Sequence, residues 1–226
     1  MATLTFSYDD EKTWDLFKDG RTKGVFQLES NLGRAWSKRL QPTNLDNFHQ
    51  SLGAGKTIMS NLTNAEQSSS TMWNNTAPTS SVFSVGTYNG TNGSSDNMIA
   101  YCFAEKQGYS KFGIYTGNGS TNGTYIHLGF KPAWFMIKSN SNAEAWEVGD
   151  NKRDTENVVN NILIANSSGA ETAGVAGNRL HCDFVSNGVK LKGNASQANQ
   201  NGSTYIYLAF AENPFVNSNG VPVNAR

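Results

Sequence analysis

The stretch Ser95–Lys138, SDNMIAYCFAEKQGYSKFGIYTGNGSTNGTYIHLGFKPAWFMIK, decides the predicted fold. Its short runs of aromatic and β-branched residues are bounded by Gly, Asn, Ser and Thr, a pattern typical of antiparallel strands joined by turns. A run near the C-terminus, Thr204–Ala211, repeats the pattern of the first of these runs and predicts a further strand. The strands predicted within the stretch are Met98–Ala104, Lys111–Thr116, Tyr125–Phe130 and Ala133–Lys138.

The overall composition extends the β prediction to most of the chain. The 226 residues include 22 glycines, only 16% of them are charged, and the formal net charge is zero. Few charges and many turn-forming residues favour short strands over a helical bundle. Because no net positive charge attracts phosphate and no apolar run reaches membrane-spanning length, we expect neither a nucleic-acid nor a membrane partner. The N-terminus lacks the pattern of a secretory signal, so we expect synthesis and assembly inside a cell.

The C-terminal half continues the strand pattern. Ser186-Asn187-Gly188 is a predicted hairpin turn. Within Thr204–Ala211 both alternating sets of side chains are mostly apolar, which indicates a strand covered on both sides. The predicted fold is therefore mainly β, an antiparallel, jelly-roll-like β-sandwich. The strands predicted in this half are Ala145–Val148, Ile162–Asn166, Cys182–Val185, Val189–Leu191 and Thr204–Ala211.

Residues 1–48 differ in character from the rest. Helix-like spacing and a denser mix of charges predict a helix carrying Trp14 and Phe17, a strand over Thr22–Leu28 and a second helix ended by Pro42. The sequence therefore predicts a small α/β segment ahead of the sandwich.

The remaining residues contain an internal similarity. Phe83–Gly86 and Phe184–Gly188 are alike, as are Met98–Glu105 and Tyr205–Glu212. This predicts a partial β repeat at residues 49–107 and a complete β-sandwich repeat at residues 108–226. An incomplete repeat leaves sheet edges unpaired, so we expect a homo-oligomer.

Three motifs in the N-terminal segment resemble a known family. Asp9–Phe17 (DDEKTWDLF), Gly20–Ser30 (GRTKGVFQLES) and Lys38–Asn44 (KRLQPTN) are similar to the alpha subunit of bacterial and phage-encoded DNA polymerase III. The resemblance implies a piece of the fingers region over about residues 9–48. The family's aspartate-rich palm motif, which would hold two magnesium ions, is missing from this sequence, so we expect no polymerase activity.

A second resemblance covers about residues 49–226. Its motifs look like a repeat domain of tailed-phage virion proteins, described as tail-fibre-like or structural. What the resemblance implies is a virion component, and it assigns no functional residues. The motifs are Ser68–Gly86, Ala100–Glu105 (AYCFAE), Gly108–Gly113 (GYSKFG), Tyr115–Gly119 and Gly129–Lys138 (GFKPAWFMIK).

The cysteines and histidines give no metal-binding pattern. Cys102 and Cys182 lie in apolar or mixed runs and are interpreted as two buried free thiols, with a mutual disulfide as the alternative. His49, His127 and His181 have no ligand spacing with each other or with the cysteines. We therefore predict no metal and no cofactor.

One glycine-rich run invites a nucleotide-binding interpretation. Gly53–Thr57 (GAGKT) resembles the end of a phosphate-binding loop, but Gln50 stands where the first glycine of that motif belongs. Ile58–Leu62 following it is strand-like, whereas the motif opens a helix. We predict a hairpin turn here.

Tryptophans beside polar residues are candidates for binding a sugar ring. Of Trp73, Trp134 and Trp146, Trp134 shares a predicted strand face with Met136 and is interpreted as core. Trp146 borders a polar loop and is the predicted ligand-binding residue.

Four acidic residues could supply the carboxylate pair of a glycoside hydrolase. The alternative is that they are solvated or paired with neighbours such as Lys152 and Arg153. These residues are Glu144, Glu147, Asp150 and Asp154.

The functional prediction combines these interpretations. We expect a non-enzymatic structural or attachment protein of a phage tail, assembled in the host cytoplasm and located in the virion. Its expected partners are other virion proteins, further copies of itself, and a host surface glycan or envelope protein. Two alternatives stay open, a DNA polymerase III alpha fragment without its catalytic centre and a tail-associated glycan hydrolase.

Overall fold

The computed structural model describes residues 52–79, 82–97, 100, 102–175 and 177–214. The helices and strand predicted within residues 1–48 lie outside this set. The elements in chain order are β1 (Lys56–Thr57), β2 (Gln67–Ser68), α1 (Asn89–Asn92), β3 (Ser110–Thr116), β4 (Tyr125–His127), β5 (Pro132–Ser139), β6 (Glu147–Asp150), β7 (Asn161–Ile164), β8 (Thr172–Ala173), β9 (Cys182–Val185), β10 (Gly188–Leu191) and β11 (Thr204–Ala211).

The strands form two main antiparallel sheets. The larger sheet has six strands in the order β3-β11-β5-β6-β7-β8, and the smaller has three in the order β4-β10-β9. Phe135 of β5 and Phe184 of β9 meet between them, edge to face, with ring centroids 6.4 Å apart. Side chains from both sheets share one hydrophobic cluster. The prediction of a mainly β, antiparallel sandwich is confirmed.

β11 is the strand on which both faces of the larger sheet depend. It pairs with β3 on one side and with β5 on the other. The side chains of Tyr205, Tyr207 and Ala209 enter the cluster between the sheets, whereas those of Ile206 and Leu208 enter a second cluster on the outer face. The predicted alternation within this strand is confirmed, because a central strand with two apolar faces needs a layer on each side.

The second cluster carries a partial third layer over the outer face of the larger sheet. Leu52 and Ile58 come from the segment that flanks β1, and they pack against the sheet residues. The polypeptide before the sandwich is thus part of its packing. The buried members of the cluster are Phe112, Trp146, Ile206 and Leu208.

The predicted strand Met98–Ala104 is wrong over its described residues, since Ala100 and residues 102–104 lie outside any strand. Both sides of β11 are already occupied, by β3 and β5, so this run cannot pair with β11. Phe103 instead lies against the outer face, with its ring centroid 6.3 Å from that of Phe112 and 6.1 Å from that of Phe210. The neighbouring Cys102 is exposed, which corrects the prediction that it is buried.

Other predicted strands exist with shifted ends. The strand predicted at Ile58–Leu62 is wrong, because the ladder there is only Lys56–Thr57 paired with β2. β4 ends at His127, since the N–H groups of the next two residues both donate to the carbonyl of Asn187 at the hairpin turn. Tertiary hydrogen bonds, not the apolar pattern, set these boundaries.

The β9 edge of the smaller sheet is capped from within the chain. The N–H of Cys182 in β9 donates to the carbonyl of Val159 at 3.1 Å, and the N–H of Val159 donates back at 2.7 Å. The Asn157 amide then accepts from the N–H of Phe184 at 2.8 Å and donates to its carbonyl at 3.1 Å. The backbone groups of β9 that point away from β10 are therefore paired.

Replacing Asn157 by alanine is expected to lower the free energy of unfolding by about 1 kcal/mol, because both backbone groups of Phe184 lose their partner. Urea denaturation measures this change. The exposed Asn201, replaced in the same way, serves as the matched control and should shift stability by less than about 0.5 kcal/mol. Equal stabilities for the two variants would show that water replaces the amide at no loss.

Candidate binding cleft

A cleft of about 550 Å³ opens on the outer face of the larger sheet. Its floor is apolar and is made by Trp146 and Met136, and the loop after β7 forms one wall. The opposite wall comes from the segment after β1. The remaining lining residues are Ser60, Asn61, Ala165, Asn166, Ser167 and Ser168.

Trp146 forms part of the floor and is nearly inaccessible. It is 2% exposed, and its indole N–H donates to the carbonyl of Met59 at 2.9 Å. Its own backbone N–H donates to Asn166 Oδ1 at 2.8 Å. The sequence therefore located the cleft through Trp146, but the ring ties the segment after β1 to the sheet and offers no exposed face for stacking.

The polar wall supplies the groups that a ligand could reach. Ser60, Asn61 and Ser168 are exposed at the rim. Ser167 Oγ already accepts from the N–H of Gly169 at 3.0 Å, so it is partly committed to holding the loop. The rim thus presents small hydroxyl and amide side chains and no charge.

The other two candidate tryptophans are structural. Trp134 packs on the cluster of the outer face, with its ring 5.6 Å from that of Phe210, which agrees with its interpretation as core. Trp73 contacts Phe83 edge to face at 6.3 Å. Neither lines the cleft.

Glu147 is a buried carboxylate with internal partners. Its side chain is fully inaccessible; Oε1 accepts from Arg179 at 3.0 Å and Oε2 accepts from the N–H of Leu180 at 2.6 Å. Burial raises the pKa of Glu147, and the hydrogen bonds from Arg179 and Leu180 lower it in opposition. This residue fastens the chain before β9 to β6.

Two of the remaining candidate carboxylates, Asp150 and Asp154, also serve local structure. Asp150 accepts from the backbone N–H groups of Lys152 and Arg153 and pairs with the Arg153 guanidinium. Asp154 accepts from the N–H groups of Asn160 and Asn161 at 2.8 Å each. The interpretation that these acids pair with their neighbours is confirmed for Asp150.

Lys138 is a buried cation that the sequence did not reveal. Its ammonium donates to the carbonyls of Ser139 and Asn142, at 2.5 and 3.3 Å. Burial lowers the pKa of Lys138 to about 8, against the opposing effect of Glu144. Lys138 directly follows the apolar run Ala133–Ile137, and nothing in the sequence distinguishes it from a lysine that is exposed at the end of a strand.

The glycine-rich run forms a turn before β1, but the predicted hairpin is not made by this turn, because β1 pairs with β2 through the following loop. Gly53 and Gly55 have φ values of 88° and 71°, a region that favours glycine. The Lys56 ammonium pairs with Glu66 at 3.1 Å and donates to Ser68 Oγ at 3.1 Å. The ammonium group of Lys56 is therefore bound by β2 and by the residue just before it.

Cys182 and Asp183 lie on opposite faces at the start of β9. Cys182 is buried, and burial raises the pKa of its thiol well above the usual value. Asp183 on the other face lies 3.5 Å from Lys192. Within the described ranges no group of three His, Cys, Asp or Glu side chains is placed to hold a metal ion.

Fold and cleft together define a small antiparallel β-sandwich with an uncharged surface cleft. Residues 36–214 match the family described as a domain of unknown function, DUF7483. This match covers more than three quarters of the 226 residues, so the chain belongs to this family. No solved structure matches the chain. In the part that the structure describes, no helix has the length and apolarity to cross a bilayer.

The N-terminal residues have a separate similarity. Residues 1–54 match the bacterial DNA polymerase III alpha subunit finger domain. Over 41 residues the chain is 49% identical to DNA polymerase III subunit alpha of Thermotoga maritima, a match covering 18% of this chain and 5% of that protein. It is 50% identical over 41 residues to the same subunit of two Staphylococcus epidermidis strains, covering 18% of this chain and 4% of theirs. The chain thus spans about a twentieth of these relatives.

Proposed function

We propose that this chain is a non-enzymatic structural or attachment protein of a tailed-phage virion, in which the sandwich displays its outer-face cleft toward a surface glycan. The cleft at Trp146 carries the proposal. With Trp146 buried, the accessible apolar surface of the cleft comes from Met136 and Ala165. This surface and its rim of hydroxyl and amide groups suit a sugar, which has apolar ring faces and many hydroxyls. The resemblance of several motifs to tail-fibre-like repeat domains supports a place in the tail, among other virion proteins.

The internal use of the acidic residues supports a non-enzymatic role. Glycoside hydrolysis needs two carboxylates that face one another across a substrate cleft. Glu147 is buried against Arg179, and Asp150 and Asp154 hold backbone N–H groups of their own loops. None of the three lines the cleft at Trp146.

The similarity to DNA polymerase III alpha favours the alternative of a polymerase fragment only for residues 1–54. The match ends at residue 54, and polymerase activity belongs to proteins about twenty times longer than the matched segment. We propose that this segment serves no polymerase function in the chain.

A shallow cleft binds weakly on its own. Several copies on one particle convert weak single contacts into stable attachment, because the later contacts are intramolecular. The proposal therefore includes a homo-oligomer whose clefts engage host glycans together.

The test measures binding of the purified full chain to immobilised bacterial surface glycans, using lipopolysaccharide-derived and capsular polysaccharides. Ser168→Trp fills the cleft with a bulky side chain and is expected to weaken binding at least about tenfold. Ser186→Trp adds the same side chain at the exposed turn between β9 and β10 and should bind like the wild type.

Two results would overturn the proposal. Wild-type protein that binds no glycan in the panel, or Ser186→Trp losing as much binding as Ser168→Trp, removes the cleft from attachment. Release of oligosaccharides from the immobilised glycans during the assay would instead identify a hydrolase.

A further inference from the structure

β3 is a long strand at the edge of the larger sheet. It runs for seven residues and pairs with β11 on one side only. Long edge strands are ready templates for pairing, and proteins usually protect them with charges, prolines or bulges. β3 contains no proline, and its pairing with β11 is regular from Ser110 to Thr116. Its single charged residue is Lys111, whose ammonium is turned back to donate to the carbonyl of His127 at 3.0 Å.

The hydrogen bonds at both ends of β3 show which residues face away from β11. The N–H of Ala211 donates to the carbonyl of Tyr109 at 2.7 Å, and the N–H of Gly117 donates to the carbonyl of Ser203 at 2.9 Å. Antiparallel pairing alternates between residues that bond to the neighbour and residues that point away. The odd-numbered residues of β3 therefore bond to β11, and the even-numbered residues direct their N–H and C=O groups outward.

Three of the four outward groups at the ends of β3 are paired, and those in its middle are open. Both backbone groups of Ser110 bond to Lys106, and the carbonyl of Thr116 accepts from Thr124 Oγ1 at 2.8 Å. The N–H and C=O groups of Phe112 and Ile114 have no partner among the described residues. The Ile114 side chain beside them is 42% exposed.

The edge strand β9 differs from β3, because its outward backbone groups are paired within the chain. At the edge of the smaller sheet, Val159 and the Asn157 amide occupy the outward groups of Cys182 and Phe184. The chain thus closes the β9 edge with its own residues, whereas the four backbone groups of Phe112 and Ile114 at the β3 edge have no partner among the described residues.

We propose that two copies of this chain associate through these edges, with the two β3 strands antiparallel and related by a twofold axis at Gly113. Phe112 of each copy then lies opposite Ile114 of the other. Each such pair exchanges two N–H···O=C bonds, so the four open groups of each copy are all used. The two six-stranded sheets become continuous across the axis.

Side chains and charges fit this register. Phe112 and Ile114 share the outer face, so each exposed isoleucine packs beside a phenylalanine of the other copy. Gly113 of one copy lies opposite Gly113 of the other at the twofold axis, where neither residue has a side chain that could clash. Lys111 lies opposite Tyr115 and not opposite itself, and the net charge of zero gives no repulsion between copies. A self-complementary strand favours a second copy as the occupant.

This inference rests on the oligomeric part of the proposed function and deepens it. It can fail while the glycan-binding proposal stands, because glycan binding by a monomer is measured separately. Light scattering of the full chain over a wide concentration range should give twice the chain mass of 24.5 kDa at the upper end. Hydrogen exchange should show the amides of Phe112 and Ile114 becoming protected as the dimer forms.

Variants at Ile114 separate this edge from other interfaces. Ile114→Pro removes an N–H that β11 does not use, and Ile114→Asp places a charge against Phe112 of the other copy. Each should raise the dimer dissociation constant at least about tenfold, while Ile114→Val, which keeps the N–H and the branched side chain, should leave it nearly unchanged.

Thermal unfolding verifies that each variant is folded. If Ile114→Pro is unfolded, Ile114→Asp alone tests the interface. A monomeric wild-type chain overturns the inference. So does a dimer that survives Ile114→Asp, or one that leaves the amides of Phe112 and Ile114 unprotected, since either places the interface elsewhere.

Discussion

Replacing Trp146 by alanine is expected to lower the free energy of unfolding by about 3 to 5 kcal/mol, one of the two largest effects that we predict. The indole ring is 2% exposed and belongs to the cluster on the outer face. Its removal leaves a cavity beneath the segment of Leu52 and Ile58 and deletes the bond to the carbonyl of Met59. Chemical denaturation measures the loss.

Trp146→Phe separates packing from hydrogen bonding. The smaller ring keeps most of the apolar contact but leaves the Met59 carbonyl without the indole donor, so we expect a loss of about 1 to 2 kcal/mol. Limited proteolysis should cut near Met59 sooner in both variants than in the wild type, because the bond that holds this segment is gone. Unchanged cleavage would mean that Trp146 does not secure the segment.

Replacing Arg179 by methionine is expected to lower the free energy of unfolding by about 3 kcal/mol at neutral pH. Methionine retains much of the apolar stem, so the main change is that the buried carboxylate of Glu147 keeps only the N–H of Leu180 as a partner. A carboxylate without its cation is costly in such a site, because it cannot regain its hydration. Urea denaturation at several pH values measures the effect.

The stability lost in Arg179→Met should depend on pH, because the pKa of Glu147 differs between the folded and unfolded chain. Burial already raises the pKa of Glu147 in the folded chain, so its contribution to stability is fully present below the unfolded pKa and is lost as pH rises through the folded pKa. Without Arg179, which lowers this pKa, the folded value rises further. The deficit of Arg179→Met should therefore be largest above that raised pKa and should shrink as the pH falls toward the unfolded value.

Glu147→Gln supplies the matched comparison. Glutamine has no charge to bury and can still accept from the N–H of Leu180, so adding Arg179→Met to Glu147→Gln should cost less than adding it to the wild type. Equal costs in the two backgrounds, or a deficit that does not change with pH, would show that Arg179 stabilises by packing alone.

The sequence predicted the strands whose patterns are local. Thr204–Ala211 was predicted with its observed bounds and with both faces correctly assigned, because two apolar faces in one strand leave few alternatives. Met98–Ala104 has a similar pattern, but its described residues join no ladder, and its Phe103 packs on the sheet face. Which of two similar runs joins a ladder depends on long-range pairing, and local pattern does not contain that information.

The sequence singled out Trp146 but not its surroundings. Trp146 lines the cleft that we propose as the site, together with the loop after β7, which the sequence did not single out. The burial of its ring depends on Met59, which is 87 residues away in sequence. For the same reason Glu147 resembled a solvated loop acid, since its partners Arg179 and Leu180 come from another part of the chain.

The third layer over the sheet also governs how the protein can be trimmed for experiments. A recombinant fragment that starts after Met59 would expose the cluster of Phe112, Trp146 and Leu208 to water. The shortest self-sufficient sandwich therefore has to retain Leu52 and Ile58. Since residues 36–54 belong to both family matches, no cut between the two matched regions leaves both intact.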